Sequence, residues 1–138
     1  MDFLSKNEKI IENEFTDQGF IIREAANKDA LNKIQKFAID MLSGRGGSSL
    51  DNTHEIIDIN ELNNFRLEVI NEINAQPWFR EAYYQVAKPY LDLLVGNELA
   101  MQSRVNLSIQ LPEDDSSLLP VHADTWSGDS PFEVVVWL

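Results

Sequence analysis

The sequence predicts an α+β protein in which helices come first and strands follow. In residues 1–97 apolar side chains recur every three or four positions, whereas from Glu98 onward the repeat shortens to two positions. The chain has 138 residues, of which 43% are hydrophobic, which is enough for one modest core. We therefore expect a single domain with a mainly helical region (1–97) and a strand region (98–138).

The first two predicted helices are separated by a short strand. Gly19 ends the first helix, and the apolar run at 20–22 predicts the strand. Asn27 or Asp29 caps the second helix, which ends near Ser43. Its apolar stripe consists of Leu31, Ile34, Phe37, Ala38 and Met41.

A loop and two further helices complete the helical region. Residues 43–53 are rich in glycine and serine, which predicts a mobile loop. Asp58 is expected to cap the third helix, which runs to about Asn74. Pro77 suits the first turn of the fourth helix, and Gly96 suits its end.

Three strands are predicted in the second region. At 105–111 apolar residues alternate with polar ones, which is typical of a strand with one buried face. Residues 112–117 form an acidic turn, and 118–124 form a second strand or strand end. The run at 132–138 is apolar enough for a strand that is buried on both faces.

Charge and composition exclude several classes of function. The net charge of −12 disfavours nucleic acid and anionic membranes as partners. The absence of cysteine excludes disulfides, thiolate zinc sites, iron–sulfur clusters and cysteine nucleophiles. The longest apolar run, 134–138, is far shorter than the ~20 residues that cross a bilayer, and the N-terminus lacks the apolar core of a signal peptide. We expect a cytoplasmic protein.

The candidate chemistry lies in a His-x-Asp motif at the end of the second predicted strand. In an extended chain, residues two apart project to the same side, so His122 and Asp124 can bind one ion while Ala123 points away. One nitrogen and one oxygen ligand suit a borderline metal such as Fe(II).

The segment 99–138 resembles the iron-ligand region of the phytanoyl-CoA dioxygenase-like group of Fe(II)/2-oxoglutarate-dependent oxygenases. The resemblance is closest to the branch found in bacterial carbohydrate-biosynthesis clusters. It rests on the order of elements: helices, a strand with one polar face, a turn into His122-Ala123-Asp124, the turn at 126–131 and an apolar strand. It implies a double-stranded β-helix (jelly-roll, cupin-like) barrel that helices precede and that is incomplete at the C-terminus.

The resemblance also implies cofactors and residue roles. Fe(II), 2-oxoglutarate and O₂ would be the cofactors, with His122 and Asp124 as the first two iron ligands. The carboxylate favours a hydroxylase-type reaction on a small molecule, and the branch points to a sugar or nucleotide sugar. Asn106 and Gln110 would line the 2-oxoglutarate pocket or form a solvent-facing strand surface. Trp126 would either orient the ligand turn or fill the core.

The chain departs from the family pattern in two respects. The family has a second histidine ligand on a later strand and an arginine beyond it, and no histidine or arginine follows His122 here. His54 is expected to be a surface loop residue, and Arg104 is expected to form an ion pair at the rim. We therefore expect the N-terminal portion of a longer oxygenase that is inactive by itself.

Two other functions remain open at this point. One is a non-catalytic α+β interaction module in which His122 and Asp124 only stabilise a turn. The other is a cupin-type isomerase or epimerase, which shares the barrel but uses no O₂. The sequence leaves the oligomeric state undefined.

Overall fold

The architecture is a small assembly of helices followed by extended chain. The computed structural model describes residues 3–115, 118 and 120–138, so Ser116, Ser117 and Leu119 of the predicted turn and second strand lie outside the described residues. The helical elements are α1 (Lys6–Gln18), α2 (Lys28–Ser43), a first 3-10 turn (Leu50–Asn52), α3 (Thr53–Ile56), α4 (Leu62–Ala75), α5 (Phe79–Leu94) and a second 3-10 turn (Asp124–Ser127). Within the described part, α2 makes its main contact with α5.

The ends of α1 and α2 follow from their capping residues. The Ser5 hydroxyl accepts a hydrogen bond from the amide of Glu8, and the Glu8 carboxylate accepts one from the amide of Ser5. This capping box satisfies two backbone donors at the start of α1. Gly19 ends the helix with a φ of 80°. The Asn27 side chain accepts from the amide of Ala30 at the start of α2. The predicted ends of both helices are confirmed.

The predicted third helix begins later than expected. The carboxylate of Asp58 accepts from the amide of Asn60 at 2.8 Å and closes a local turn, so α4 starts only at Leu62. The fourth helix is α5, and Gly96, with a φ of 98°, follows its end as predicted.

The glycine-rich segment 43–53 contains ordered turns. The prediction of a featureless mobile loop differs from the structure, where the amide of Gly47 donates to the carbonyl of Leu42 at 3.0 Å and Gly47 is buried. The first 3-10 turn and α3 follow directly.

The core lies between α4 and its neighbours. α4 contributes buried residues at three- and four-residue spacing, as helical periodicity requires. The buried members are Leu42, Ile57, Leu62, Phe65, Val69, Ile73, Phe79 and Val105.

The prediction of a double-stranded β-helix barrel is wrong for the described residues, which form no β-strand, sheet or barrel. The segment 105–111 keeps its alternation of inward and outward residues, but none of the described residues pairs with it as a strand. The Asn74 side chain takes the place of one: its oxygen accepts from the amide of Val105 at 2.8 Å, and its nitrogen donates to the carbonyl of Val105 at 2.9 Å. A side chain of helix α4 therefore forms the hydrogen bonds that the amide and the carbonyl of Val105 would form with a neighbouring strand in a sheet.

The segment 132–138 also lies on a helix instead of in a sheet. Tyr83 of α5 donates its hydroxyl hydrogen to the carbonyl of Val136. Burial raises the pKa of Tyr83, which keeps this donor protonated. Phe132 is 87% exposed and Trp137 79% exposed, so the expectation of a strand buried on both faces is wrong.

The corrected architecture bears equally on two of the expected functions. The oxygenase and the cupin-type isomerase or epimerase were both expected to have the barrel, which the described part of the chain does not form. Among the helices described, none combines the length and the apolar character needed to span a bilayer.

Candidate functional site

His122 and Asp124 lie together on one side of an extended stretch. Ala123 between them has φ −120° and ψ 134°, which directs its two neighbours to the same side. As a result, Nε2 of His122 is 3.5 Å from Oδ1 of Asp124. Asp124 begins the second 3-10 turn, which Gly128 ends with a φ of 101°.

A backbone carbonyl fixes the orientation and tautomer of the His122 ring. Nδ1 of His122 is 2.7 Å from the carbonyl oxygen of Pro120. A carbonyl oxygen can only accept, so Nδ1 carries a proton and donates it. In the neutral imidazole the lone pair is then on Nε2, the atom that faces Asp124. Metal-binding histidines commonly have this arrangement, with one nitrogen on the ion and the other on a carbonyl or carboxylate.

The spacing of the two donor atoms fits a shared cation. Two ligands that each lie about 2.1 Å from one ion can be up to about 4.2 Å apart, and the observed separation is 3.5 Å. The same distance also suits an ion pair between a protonated His122 and the carboxylate of Asp124. Both side chains are open to solvent, with 44% and 58% of their surfaces exposed.

The pair supplies only two donors. Within residues 3–115, 118 and 120–138, no three histidine, cysteine, aspartate or glutamate side chains lie close enough together to hold one metal ion. A metal site with His122 and Asp124 as ligands therefore needs donors from outside this set.

The other predicted site residues are exposed. Asn106 and Gln110 lie on the outward side of the segment 105–111, and no hydrogen bond described by the structure joins either amide to His122 or Asp124. Trp126 lies in the second 3-10 turn with 76% of its surface exposed, so it does not fill the core.

The remaining histidine and the arginine before the motif have local structural contacts. His54 is exposed, as expected, but it lies on α3 and not in a loop, with Nε2 4.0 Å from the carboxylate of Glu55. Arg104 donates to the side-chain oxygen of Asn71 at 3.1 Å, so the expected ion pair is replaced by a hydrogen bond to an amide.

Two features of the structure were not predicted. The Pro120 carbonyl orients His122, yet nothing in the residue type at position 120 signals that role, because any residue has a carbonyl. An apolar groove of about 650 Å³ lies between the segment 20–25, helix α5 and the segment 134–138. His122 and Asp124 do not line this groove, so the pair is a surface feature.

Comparison with known proteins adds no relative to this chain: no family model, curated protein or solved structure matches it.

Proposed function

We propose that this chain supplies two ligands of a non-haem Fe(II) centre in a 2-oxoglutarate-dependent oxygenase that hydroxylates a small molecule. One observation carries the proposal: Nε2 of His122 and Oδ1 of Asp124 lie 3.5 Å apart, and the Pro120 carbonyl holds the proton on Nδ1. The support for the proposal is this local geometry and the resemblance at the His122-Ala123-Asp124 motif; the barrel that the same resemblance implied gives it no support.

Iron and 2-oxoglutarate, when bound, supply the oxidising chemistry: substrate C–H, O₂ and 2-oxoglutarate become substrate C–OH, succinate and CO₂. The protein positions the donors. His122 offers a neutral nitrogen, and the carboxylate of Asp124 offsets one positive charge of the ion. The hydrogen bond from Nδ1 to the carbonyl of Pro120 fixes the ring plane with Nε2 towards Asp124, so His122 and Asp124 would together hold a bound ion.

The substrate class rests on the resemblance together with the charge of the chain. The branch that the motif resembles points to sugars and nucleotide sugars. With a net charge of −12, the chain repels polyanions. Of the two substrate classes, we therefore propose an uncharged sugar in preference to a nucleotide sugar.

The proposal is tested by anaerobic titration of the chain with Fe(II) and 2-oxoglutarate. We expect saturable Fe(II) binding, measured by equilibrium dialysis, and a visible charge-transfer band when 2-oxoglutarate is added. His122→Ala is expected to lose both signals, because it removes the only imidazole at the site. His54→Ala is the matched control, since it removes the other histidine of the chain and should bind as the unmodified protein does.

Each outcome has a distinct meaning. Fe(II) binding that depends on His122 without the charge-transfer band would contradict the oxygenase and leave a metal site of another kind. Equal binding by the unmodified chain and by His122→Ala would show that the pair is not a metal site. The interaction module, with His122 and Asp124 as an ion pair, would then be the better account.

A further inference from the structure

We propose that α1 is a hinged lid on the apolar groove and that an ion pair between Glu14 and Arg23 holds the lid closed. The lid turns about Gly19, which lies between α1 and the extended segment 20–26. This inference is independent of the proposed function, because neither His122 nor Asp124 lines the groove.

Helix α1 forms part of the wall of the groove. Phe15 of α1 lines the groove together with Leu91 and Leu94 of α5. Movement of α1 away from α5 would therefore take Phe15 out of the wall and open the groove to solvent on that side.

The packing of α1 is weak compared with that of the core helices. Ile11 is the one buried residue described for α1, whereas Ile10 beside it is 60% exposed. In addition, α1 contacts α5 less extensively than α2 does. Elements with few buried apolar contacts open at a lower free energy than the core. We therefore expect α1 to undock before α2, α4 or α5.

The segment that follows α1 is anchored to α5, which places the hinge at the end of α1. The amide of Ala26 donates to the carbonyl of Val86 at 2.8 Å, and the hydroxyl of Tyr90 donates to the carbonyl of Glu24 at 3.2 Å. Gly19 has a φ of 80°, and a Cβ added there would have no neighbour within 4 Å. Glycine can leave this conformation for others without the steric barrier that a Cβ imposes. The rotation is therefore expected at Gly19.

The ion pair connects α1 to this anchored segment. The guanidinium of Arg23 donates two hydrogen bonds to the carboxylate of Glu14, at 3.0 and 2.7 Å, and a third to the carbonyl of Ile22 at 2.8 Å. A two-point contact between arginine and a carboxylate is stronger and more directional than a single contact. Glu14 precedes Gly19 and Arg23 follows it, so the pair spans the hinge and must break before α1 can turn.

Hydrogen exchange measures the opening of the lid. A 13-residue helix is only marginally stable by itself in water, so the amides of α1 exchange once the helix leaves α5. Glu14→Gln is expected to raise their exchange rates about 5- to 30-fold, while α4 and α5 keep theirs. Glu12→Gln is the matched control, because it removes the same charge from an exposed position of the same helix.

Two further measurements identify the ion pair as the latch. Arg23→Gln should open α1 to a similar degree, and its combination with Glu14→Gln should add little, because both remove one interaction. Salt at about 1 M, where the Debye length is about 3 Å, should speed the exchange of α1 in the unmodified chain. The same salt should have little effect on Glu14→Gln, which has no ion pair at the hinge to screen.

The reactivity of an introduced thiol measures access to the groove. The chain has no cysteine, so Leu91→Cys places a single thiol in the groove wall. Iodoacetamide is a suitable probe because it is uncharged and is not repelled by a net charge of −12. Glu14→Gln should speed alkylation of this thiol by a factor similar to that for exchange in α1, and Glu12→Gln should not.

Three results would overturn the lid. Faster exchange throughout the chain in Glu14→Gln would indicate general unfolding in place of a local opening. Faster exchange in α1 without faster alkylation would show that α1 moves but does not cover the groove. Equal behaviour of Glu14→Gln and Glu12→Gln would show that the ion pair is not the latch. Exchange is measured on chains without Leu91→Cys, so it decides the first and third results even if that variant does not fold.

Discussion

Replacing Phe65 with alanine is expected to lower the free energy of unfolding by about 3–5 kcal/mol, the usual cost of removing a buried aromatic ring. Phe65 is 3% exposed at the centre of the α4 face that forms the core, and the guanidinium of Arg45 lies over its ring at 5.1 Å. Domains of this size are stable by only about 5–15 kcal/mol. The variant should therefore be partly unfolded at moderate urea concentrations, as measured by circular dichroism.

Leu67→Ala is the matched control, because Leu67 lies on the same helix and is 50% exposed. A surface change of this kind is expected to shift stability by about 0.5 kcal/mol or less. Similar losses for Phe65→Ala and Leu67→Ala would show that α4 does not present its Phe65 face to the core.

Gly47→Ala is expected to destabilise the protein by about 1–3 kcal/mol, as overpacking of a filled site does. A Cβ added at Gly47 would lie 2.7 Å from the terminal methyl carbon of Ile56 and 3.1 Å from Cβ of Leu42. Leu42 is a core residue with 2% exposure, so it has no space into which to move. Urea denaturation followed by tryptophan fluorescence measures the loss.

Gly44→Ala provides the comparison within the same segment. Gly44 has helical dihedral angles. A Cβ added at Gly44 would have the Met41 carbonyl oxygen as its nearest neighbour, at 3.6 Å. This substitution should be neutral or should stabilise the protein by about 0.4–1 kcal/mol, because it restricts the unfolded chain. If the two alanine variants were equally stable, the segment 43–53 would be the loose loop that its composition suggests.

The helices could be predicted because their determinants are local. The apolar stripe of α2 and the caps at Asn27 and Gly19 lie within a few residues of the ends that they define. The start of α4 could not be placed as well, because Asp58 suits either a helix cap or a turn, and its hydrogen bond to Asn60 decides for the turn.

The strands could not be predicted because pairing is not a local property. Alternation at 105–111 correctly indicated which side chains face inward, and the structure preserves that pattern. A strand also needs a neighbouring strand, and Asn74, 31 residues earlier, occupies that place with its side-chain amide. The resemblance at residues 122–124 implied a barrel, and that implication was wrong because a local motif does not determine whether distant segments pair into a sheet.

The candidate site was predictable in part. The one-residue spacing predicted that His122 and Asp124 share a side of the chain, and their donor atoms lie 3.5 Å apart. The hydrogen bond from Nδ1 to the Pro120 carbonyl was not predictable, because it depends on how the backbone turns before the motif. The exposure of the Val121 and Trp126 side chains was not predictable either, because it depends on which other parts of the chain pack against them.

The most direct test of the central claim is the ¹⁵N spectrum of the imidazole nitrogens while Zn(II) is added as a diamagnetic probe. The account predicts that Nε2 of His122 shifts as its lone pair binds the ion, that Nδ1 keeps its proton on the carbonyl of Pro120, and that His54 is unchanged. An unperturbed His122, or equal shifts at His122 and His54, would contradict it.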